Sequence, residues 1–212
     1  MKERPILFSA PMIQAILAGR KTQTRRALRV QPPINNKPIM PLYTMEPIPA
    51  VTEVSFHEIH ENGVPHCSSI SRAKCPYGKV GDQLWVRETF GTKIRNVGGT
   101  PHESFTYKAD NPNEIKYYDC NGNGFPVKWI PSIHMPRSAS RIQLEITSIR
   151  VEPLLSISES DCVKEGIGSS LLRDCKRPKF MRLWEEIHGE GSCLQNPWVW
   201  VVEFKVIKGG SK

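Results

Sequence analysis

Between Gly19 and Arg26 the chain reads Gly-Arg-Lys-Thr-Gln-Thr-Arg-Arg. This places an amine at Lys21, a hydroxyl at Thr24 and the guanidiniums of Arg20, Arg25 and Arg26 in one short corner. A hydroxyl beside an amine supplies the parts of nucleophilic or acid–base catalysis, and clustered cations suit an anionic ligand or a developing negative charge. The same residues also read as a solvated basic loop behind an amphipathic helix.

The element that must position this corner lies just before it. Ser9 is an N-cap candidate, Pro11 suits the first helical turn, and Met12, Ile13, Ile16 and Leu17 recur at helical spacing. Gly19 then supplies the left-handed cap that other side chains resist, so the chain turns and presents Lys21 and Thr24 beyond the helix end. A second short helix is predicted far downstream, where Ser158 and Asp161 make a capping-box-like start and Gly166 a stop, leaving Glu165 at the C-terminus. There the helix dipole disfavours negative charge and pushes a carboxyl's pKa upward, which helps a group that must accept and return a proton. Glu165 also reads as an ordinary exposed helix-end glutamate.

Other candidates sit on predicted strands. Gly81 to Phe90 is a turn followed by a β-rich run with Leu84, Val86 and Glu88 on one face and Trp85, Arg87 and Thr89 on the other. Trp85 and Arg87 would suit stacking on a base and holding an anion or carbonyl, or would simply stack on each other. Ile142, Leu144 and Ile146 alternate before Ile149 and Val151 shift phase, which predicts a strand with a bulge or bend; His134, Arg137 and Arg141 cluster on its approach. Phe180, Leu183, Trp184 and Ile187 fit the core face of a helix, and the run from Trp198 to Val206 fits a central strand buried on both sides near its start. Residues 31–76, with Pro32, Pro33, Pro38, Pro41, Pro47 and Pro49, read as an extended insertion containing a strand or hairpin arm at 51–60 and a turn at Cys75 to Gly78. Residues 92–128, punctuated by Gly98-Gly99, Asn111-Pro112 and Asn121-Gly122-Asn123-Gly124, read as a second, loop-like insertion. Gly209 to Lys212 should fray.

Gly19, Lys21, Thr22, Thr24 and Arg26, together with Ile157 to Ile167 and the closing run Trp198 to Ile207, resemble the signature of the ASCH (activating-signal-cointegrator homology) domains. The resemblance implies an α+β fold: one PUA-like small β-barrel over residues 1–212, with flanking helices and two long loop insertions. Within that family the motifs are most similar to the N4-acetylcytidine amidohydrolases, which implies a catalytic triad of Lys21, Thr24 and Glu165. Thr24 would be the nucleophile. Lys21 would either stabilise the oxyanion as an ammonium or, with its pKa lowered among Arg20, Arg25 and Arg26, accept the hydroxyl proton. Over its full length, through Trp85 to Glu88, Pro131 to Arg137 and Asn196 to Trp198, the chain looks like larger phage- and prophage-encoded ASCH proteins. Arg20, Arg26, Trp85, Arg87 and Arg137 are the expected substrate-binding residues, and no cofactor is implied.

The 212 residues suffice for one elaborated domain, and the formal net charge of +8 favours phosphate-bearing or other anionic partners. No apolar run reaches membrane-spanning length and no signal peptide is evident, so a cytoplasmic location without membrane association is expected. Six widely spaced cysteines are then most simply free thiols. His57, His60, His66, Cys67 and Cys75 cluster in sequence and could bind zinc, but their spacing is unlike the common structural zinc patterns, so no metal site is assigned and the sequence leaves zinc binding there open. Three functions follow as expectations: amidohydrolysis of an N4-acylated cytidine, cytosine or related modified nucleoside; non-catalytic binding of RNA or a modified nucleotide; or a phage accessory or assembly role. The sequence leaves the oligomeric state open.

Overall fold

The computed structural model describes residues 1–32, 39–45, 51–60, 63–65, 70–97, 100–110, 116–118, 123–168 and 175–209. In chain order the elements begin with β1 (Glu3–Leu7), α1 (Ala10–Leu17), β2 (Gln23–Ala27), β3 (Ile39–Met45), β4 (Val51–Glu58) and β5 (Ser71–Lys74). Next come β6 (Gln83–Arg87), β7 (Phe90–Val97), β8 (Thr100–Tyr107), β9 (Lys116–Tyr118) and β10 (Gly124–Pro126). The chain closes with β11 (Gln143–Pro153), α2 (Glu159–Lys164), α3 (Lys176–His188) and β12 (Trp198–Lys208). The composition is α+β and strand-rich; among the described residues no sheet closes into a barrel. Two compact units are each drawn from separate stretches of chain: Met1–Lys2, Arg20–Gln83 and Glu145–Lys205 form the first, and Glu3–Gly19, Leu84–Leu144 and Val206–Lys212 the second.

In the first unit β11, β12 and β2 lie side by side in that order. β12 runs antiparallel to β2, pairing Val199 with Ala27, Val201 with Arg25 and Glu203 with Gln23. Val199, Trp200, Val201 and Val202 are all buried, as expected of a continuous apolar run covered on both faces. On one face, Val199 and Val201 pack with Leu154, Ile157, Cys162, Phe180, Trp184 and Cys193, so α2 and α3 are the cover. Ile187, expected on the core face of α3, is instead exposed, because only Phe180 and Trp184 of that helix turn inward far enough. A separate three-stranded sheet runs β3-β4-β5, with Val54 and Phe56 buried on the central strand and Pro41 confined to the edge strand, where its missing N–H costs no ladder bond.

In the second unit β1 lies beside β6. α1 starts after Ser9, carries Pro11 in its first turn and buries Ile13, Ala15 and Ile16; Gly19, at φ 69°, donates its N–H to the Ile16 carbonyl at 3.0 Å and closes the helix. β7 and β8 form a hairpin from Phe90 opposite Tyr107 to Val97 opposite Thr100, and β9 pairs with β10. Gly91 is required there, since a Cβ would meet Val127 Cγ1 at 2.5 Å.

Both insertions therefore carry strands instead of long loops: β3–β5 within 31–76 and most of β7 with β8–β10 within 92–128. The Gly, Asn and Pro punctuation that suggested loops falls between or at the edges of paired strands, which satisfy each other's backbone groups, with Pro41 inside β3 and Gly124 opening β10. The phase shift between Ile146 and Ile149 is present within β11, as the sequence pattern predicts. Of the expected fraying tail, residues 210–212 lie outside the described residues, as do Gly98-Gly99, Asn111-Pro112 and Asn121-Gly122.

Candidate functional site

The first unit contains a buried network of charge beneath α2. The capping box predicted for this helix forms: Asp161 N–H donates to Ser158 Oγ at 3.1 Å, and Ser158 N–H donates back to Asp161 Oδ2 at 3.5 Å. The helix ends at Glu165, followed by Gly166 at φ 90°. Thr22 N–H donates to the Lys164 carbonyl at 2.8 Å, and Lys21 and Glu165 form an isolated antiparallel bridge, so the chain entering β2 is stitched to the helix end.

That stitch delivers Lys21 to Glu165. Lys21 Nζ donates to Glu165 Oε2 at 2.6 Å and to the Glu165 carbonyl at 2.9 Å, a cation placed at the negative end of the helix. The two residues are 1% and 7% exposed, far below what a basic corner in solvent would show. The other oxygen of the carboxylate, Oε1, accepts from Arg25 Nη1 at 3.3 Å. Arg25 Nη2 reaches Glu152 at 2.5 Å and Asp161 at 3.2 Å. Arg150 joins Glu152 (3.0 Å), Asp161 (3.1 Å) and Glu203 (2.7 Å). Gln23, in the amide orientation its neighbours dictate, donates to Asp161 Oδ1 at 3.0 Å and accepts from Arg25 at 2.8 Å and Arg150 at 3.1 Å.

Electrostatics follow from this placement. Burial pushes the Lys21 amine below its ordinary value; the charge and hydrogen bond of Glu165 oppose that, while Arg26 and Arg25 reinforce it. Burial raises Asp161, but the Ser158 hydrogen bonds and the charges of Arg25 and Arg150 outweigh it and hold the carboxyl below the usual aspartate range. A lysine that gives up its proton readily, in contact with a carboxylate, can move a proton at a reacting atom, which no arginine in the cluster can do.

Lys21 and Glu165, from opposite ends of the sequence, are thus brought together. Thr24 is buried on β2, one residue out of phase with Gln23 and Arg25; its register partner is Val202, and that of Arg26 is Trp200. Strand alternation therefore sets Thr24 and Arg26 on the face of β2 opposite the one carrying Gln23 and Arg25, and Arg25 shares Glu165 with Lys21. Arg26 is half-buried and Arg20 exposed.

Trp85, Arg87 and Arg137 assemble with one another in the second unit. The guanidinium carbons of Arg87 and Arg137 stand 5.5 and 6.0 Å from the Trp85 ring. Arg87 donates to the Ile133 carbonyl, and Arg137 is held by Glu3 at 2.8 and 3.2 Å. Arg141 is spent internally: it pairs with both oxygens of Glu88 at 2.9 and 3.0 Å, reaches Asp110 at 2.7 Å and lies 4.0 Å from the Tyr107 ring centre.

Sequence reasoning missed Gln23, Arg150, Glu152 and Glu203, and read Asp161 only as a cap. The available signal was charge at alternate positions in otherwise apolar strands, as in Ile149-Arg150-Val151-Glu152 and Val202-Glu203-Phe204. Of the His/Cys cluster, His66 and Cys67 lie outside the described residues, and buried His57 meets Ser55 Oγ at 3.0 Å. Among the described residues no three His, Cys, Asp or Glu side chains are grouped to hold a metal ion, and Cys162, Cys175 and Cys193 are free thiols. None of the described helices is long and apolar enough to cross a membrane.

No known family, no curated protein and no solved structure matches the chain.

Proposed function

We propose that the chain is an amidohydrolase of N4-acylated cytidine, cytosine or a related modified nucleoside, built on an ASCH-type, PUA-like scaffold. The observation that carries the reading is the 2.6 Å contact between Lys21 Nζ and Glu165 Oε2, which joins two sequence-distant motifs in a buried setting where a lysine's proton is loosely held. Hydrolysis forms a bond from the attacking oxygen to the acyl carbon and breaks the bond from that carbon to N4. The attacking group's proton passes through the Glu165–Lys21 pair to the departing amine, leaving a carboxylic acid and the free base. The resemblance favours Thr24 as the attacking group, through an acyl-enzyme that water then opens; alternation along β2 favours a water attacking directly.

Release of cytidine from N4-acetylcytidine, followed by chromatography, tests the reading. Turnover by the wild type should fall by about 100-fold or more in Glu165→Gln and Lys21→Met. Thr24→Ala separates the two attacking groups: loss rescued by Thr24→Ser selects the hydroxyl, and unchanged turnover selects water. A folded wild type that hydrolyses no acylated cytosine overturns the proposal.

A second reading, non-catalytic binding of RNA or a modified nucleotide, is favoured by Trp85 with the two guanidiniums beside it, since an aromatic face with cations suits a base and its phosphate. Salt-sensitive RNA binding without turnover would select it.

A further inference from the structure

We propose that Arg25 is the positioning residue of this site: it holds Oε1 of Glu165 so that Oε2 stays on Lys21, and it couples that pair to the first turn of α2 through Asp161. The catalytic meaning of the inference rests on the hydrolase reading; the coupling rests on geometry alone. A carboxylate with one partner can rotate, whereas one held at both oxygens has its plane fixed. Glu165 is held at 2.6 Å by Lys21 and at 3.3 Å by Arg25. The Arg25 side chain is wholly buried, bonded to Glu152 of β11 and Asp161 of α2, with its guanidinium 5.9 Å from the Phe180 ring of α3. Only a planar fork reaches three carboxylates from one strand position; an ammonium at the same place could not span them.

Arg25 also acts on Lys21 as a like charge. The groups around Lys21 are Glu165 at the end of α2, with Arg25 and Arg26 from β2. Farther out stand Asp161 and Lys164 of α2, Arg150 and Glu152 of β11, and Glu203 of β12. Removing Arg25 frees Glu165 Oε1 to rotate, which the loss of kcat reads. It also takes a like charge from Lys21 and leaves the Glu165, Glu152 and Asp161 carboxylates without that competing cation, so Lys21 keeps its proton to higher pH.

The experiment follows the side-chain nitrogen of Lys21 by NMR in the full chain labelled with ¹⁵N-lysine, the resonance being assigned with Lys21→Arg. In Arg25→Gln the Lys21 titration midpoint should rise, with part of the shift restored in Arg25→Lys. On N4-acetylcytidine, kcat should fall about 100-fold with KM nearly unchanged, and its pH profile should move with the Lys21 midpoint. A folded Arg25→Gln protein that loses thermal stability but leaves the Lys21 midpoint in place would reduce Arg25 to a structural residue and overturn the proposal. If Arg25→Gln does not fold, Glu152→Gln serves instead: with less of the Arg25 charge neutralised, the Lys21 midpoint should fall, and an unmoved midpoint overturns the proposal. A wild type without turnover whose Lys21 still responds to Arg25→Gln would sink the hydrolase reading and leave the coupling standing.

Discussion

Two regions of the molecule bury charge, and they do so in different ways. In the second unit Arg141 grips both oxygens of Glu88, takes Asp110 and lies against Tyr107. In the first unit Lys21, Arg25 and Arg150 face Glu152, Asp161, Glu165 and Glu203 in a branching network. The Arg141 cluster holds a permanent cation whose planar fork is filled, so it can lock an element in place but cannot trade a proton. The Lys21 cluster contains the one kind of cation whose proton affinity burial can lower into a useful range. Burial of charge alone does not mark a site for proton transfer; on the hydrolase reading proposed above, which cation is buried decides it.

The comparison breaks most sharply on activity against stability. Glu165→Gln should remove turnover with the magnitude given above, whereas Arg141→Ala should leave turnover per folded molecule intact while lowering unfolding free energy by about 3–5 kcal/mol, because Glu88 is left as a buried, unpaired carboxylate. Urea unfolding beside single-turnover assays reads both. Equal losses of activity in the two variants would erase the distinction.

Acid should separate the clusters by sign. Asp161 is held below the ordinary aspartate value, so its stabilising contribution is complete above about pH 3.9 and fades as pH falls toward its folded value. Glu88 is raised above the ordinary glutamate value by burial, against the hydrogen bonds and charge of Arg141 and with Asp110 adding to the rise. Its ionisation therefore costs the folded state, and that cost is relieved as pH falls through the folded value. Asp161→Asn should lose less stability than the wild type between about pH 5 and pH 3, and Glu88→Gln more. Urea midpoints across that interval that run parallel in all three proteins would refute the assignment.

The smallest expected effect lies at Trp85. Arg87→Ala should weaken nucleoside or RNA binding by about 1 kcal/mol, the scale of a cation–π contact, while the fold survives. Titration calorimetry with unchanged affinity would remove Arg87 from the binding surface.

The legible parts of this chain were those with strong local codes. Ser9, Pro11 and Gly19 bound α1; Ser158, Asp161 and Gly166 bound α2; the apolar run after Trp198 is a strand buried on both faces. The meeting of Lys21 with Glu165 came from the motif resemblance, and the helix end at Glu165 from local capping rules. What stayed hidden depended on partners distant in sequence. Gln23 to Ala27 is too polar to announce a strand, and becomes one by pairing with β12. That pairing also sets which face each side chain takes, and so turns Thr24 to the face opposite Gln23 and Arg25, something the spacing of the motif could not reveal. The strands of 92–128 were hidden by the Gly, Asn and Pro residues around them, since β9 and β10 are short and β7 and β8 are polar strands that find their partner only across a hairpin.

Cys162 lies in the middle of α2, fully buried against Phe180 and Trp184, with burial pushing its thiol up to about 11. A thiol reagent in neutral buffer can reach it only while the helix is lifted from the sheet, whereas exposed Cys175 reacts at the solvent rate. The ratio of the two modification rates therefore clocks how often α2 opens. With fast reclosing it gives the free energy of that opening, and with fast reagent its rate constant, so the helix that carries Glu165 holds its own kinetic reporter one turn away.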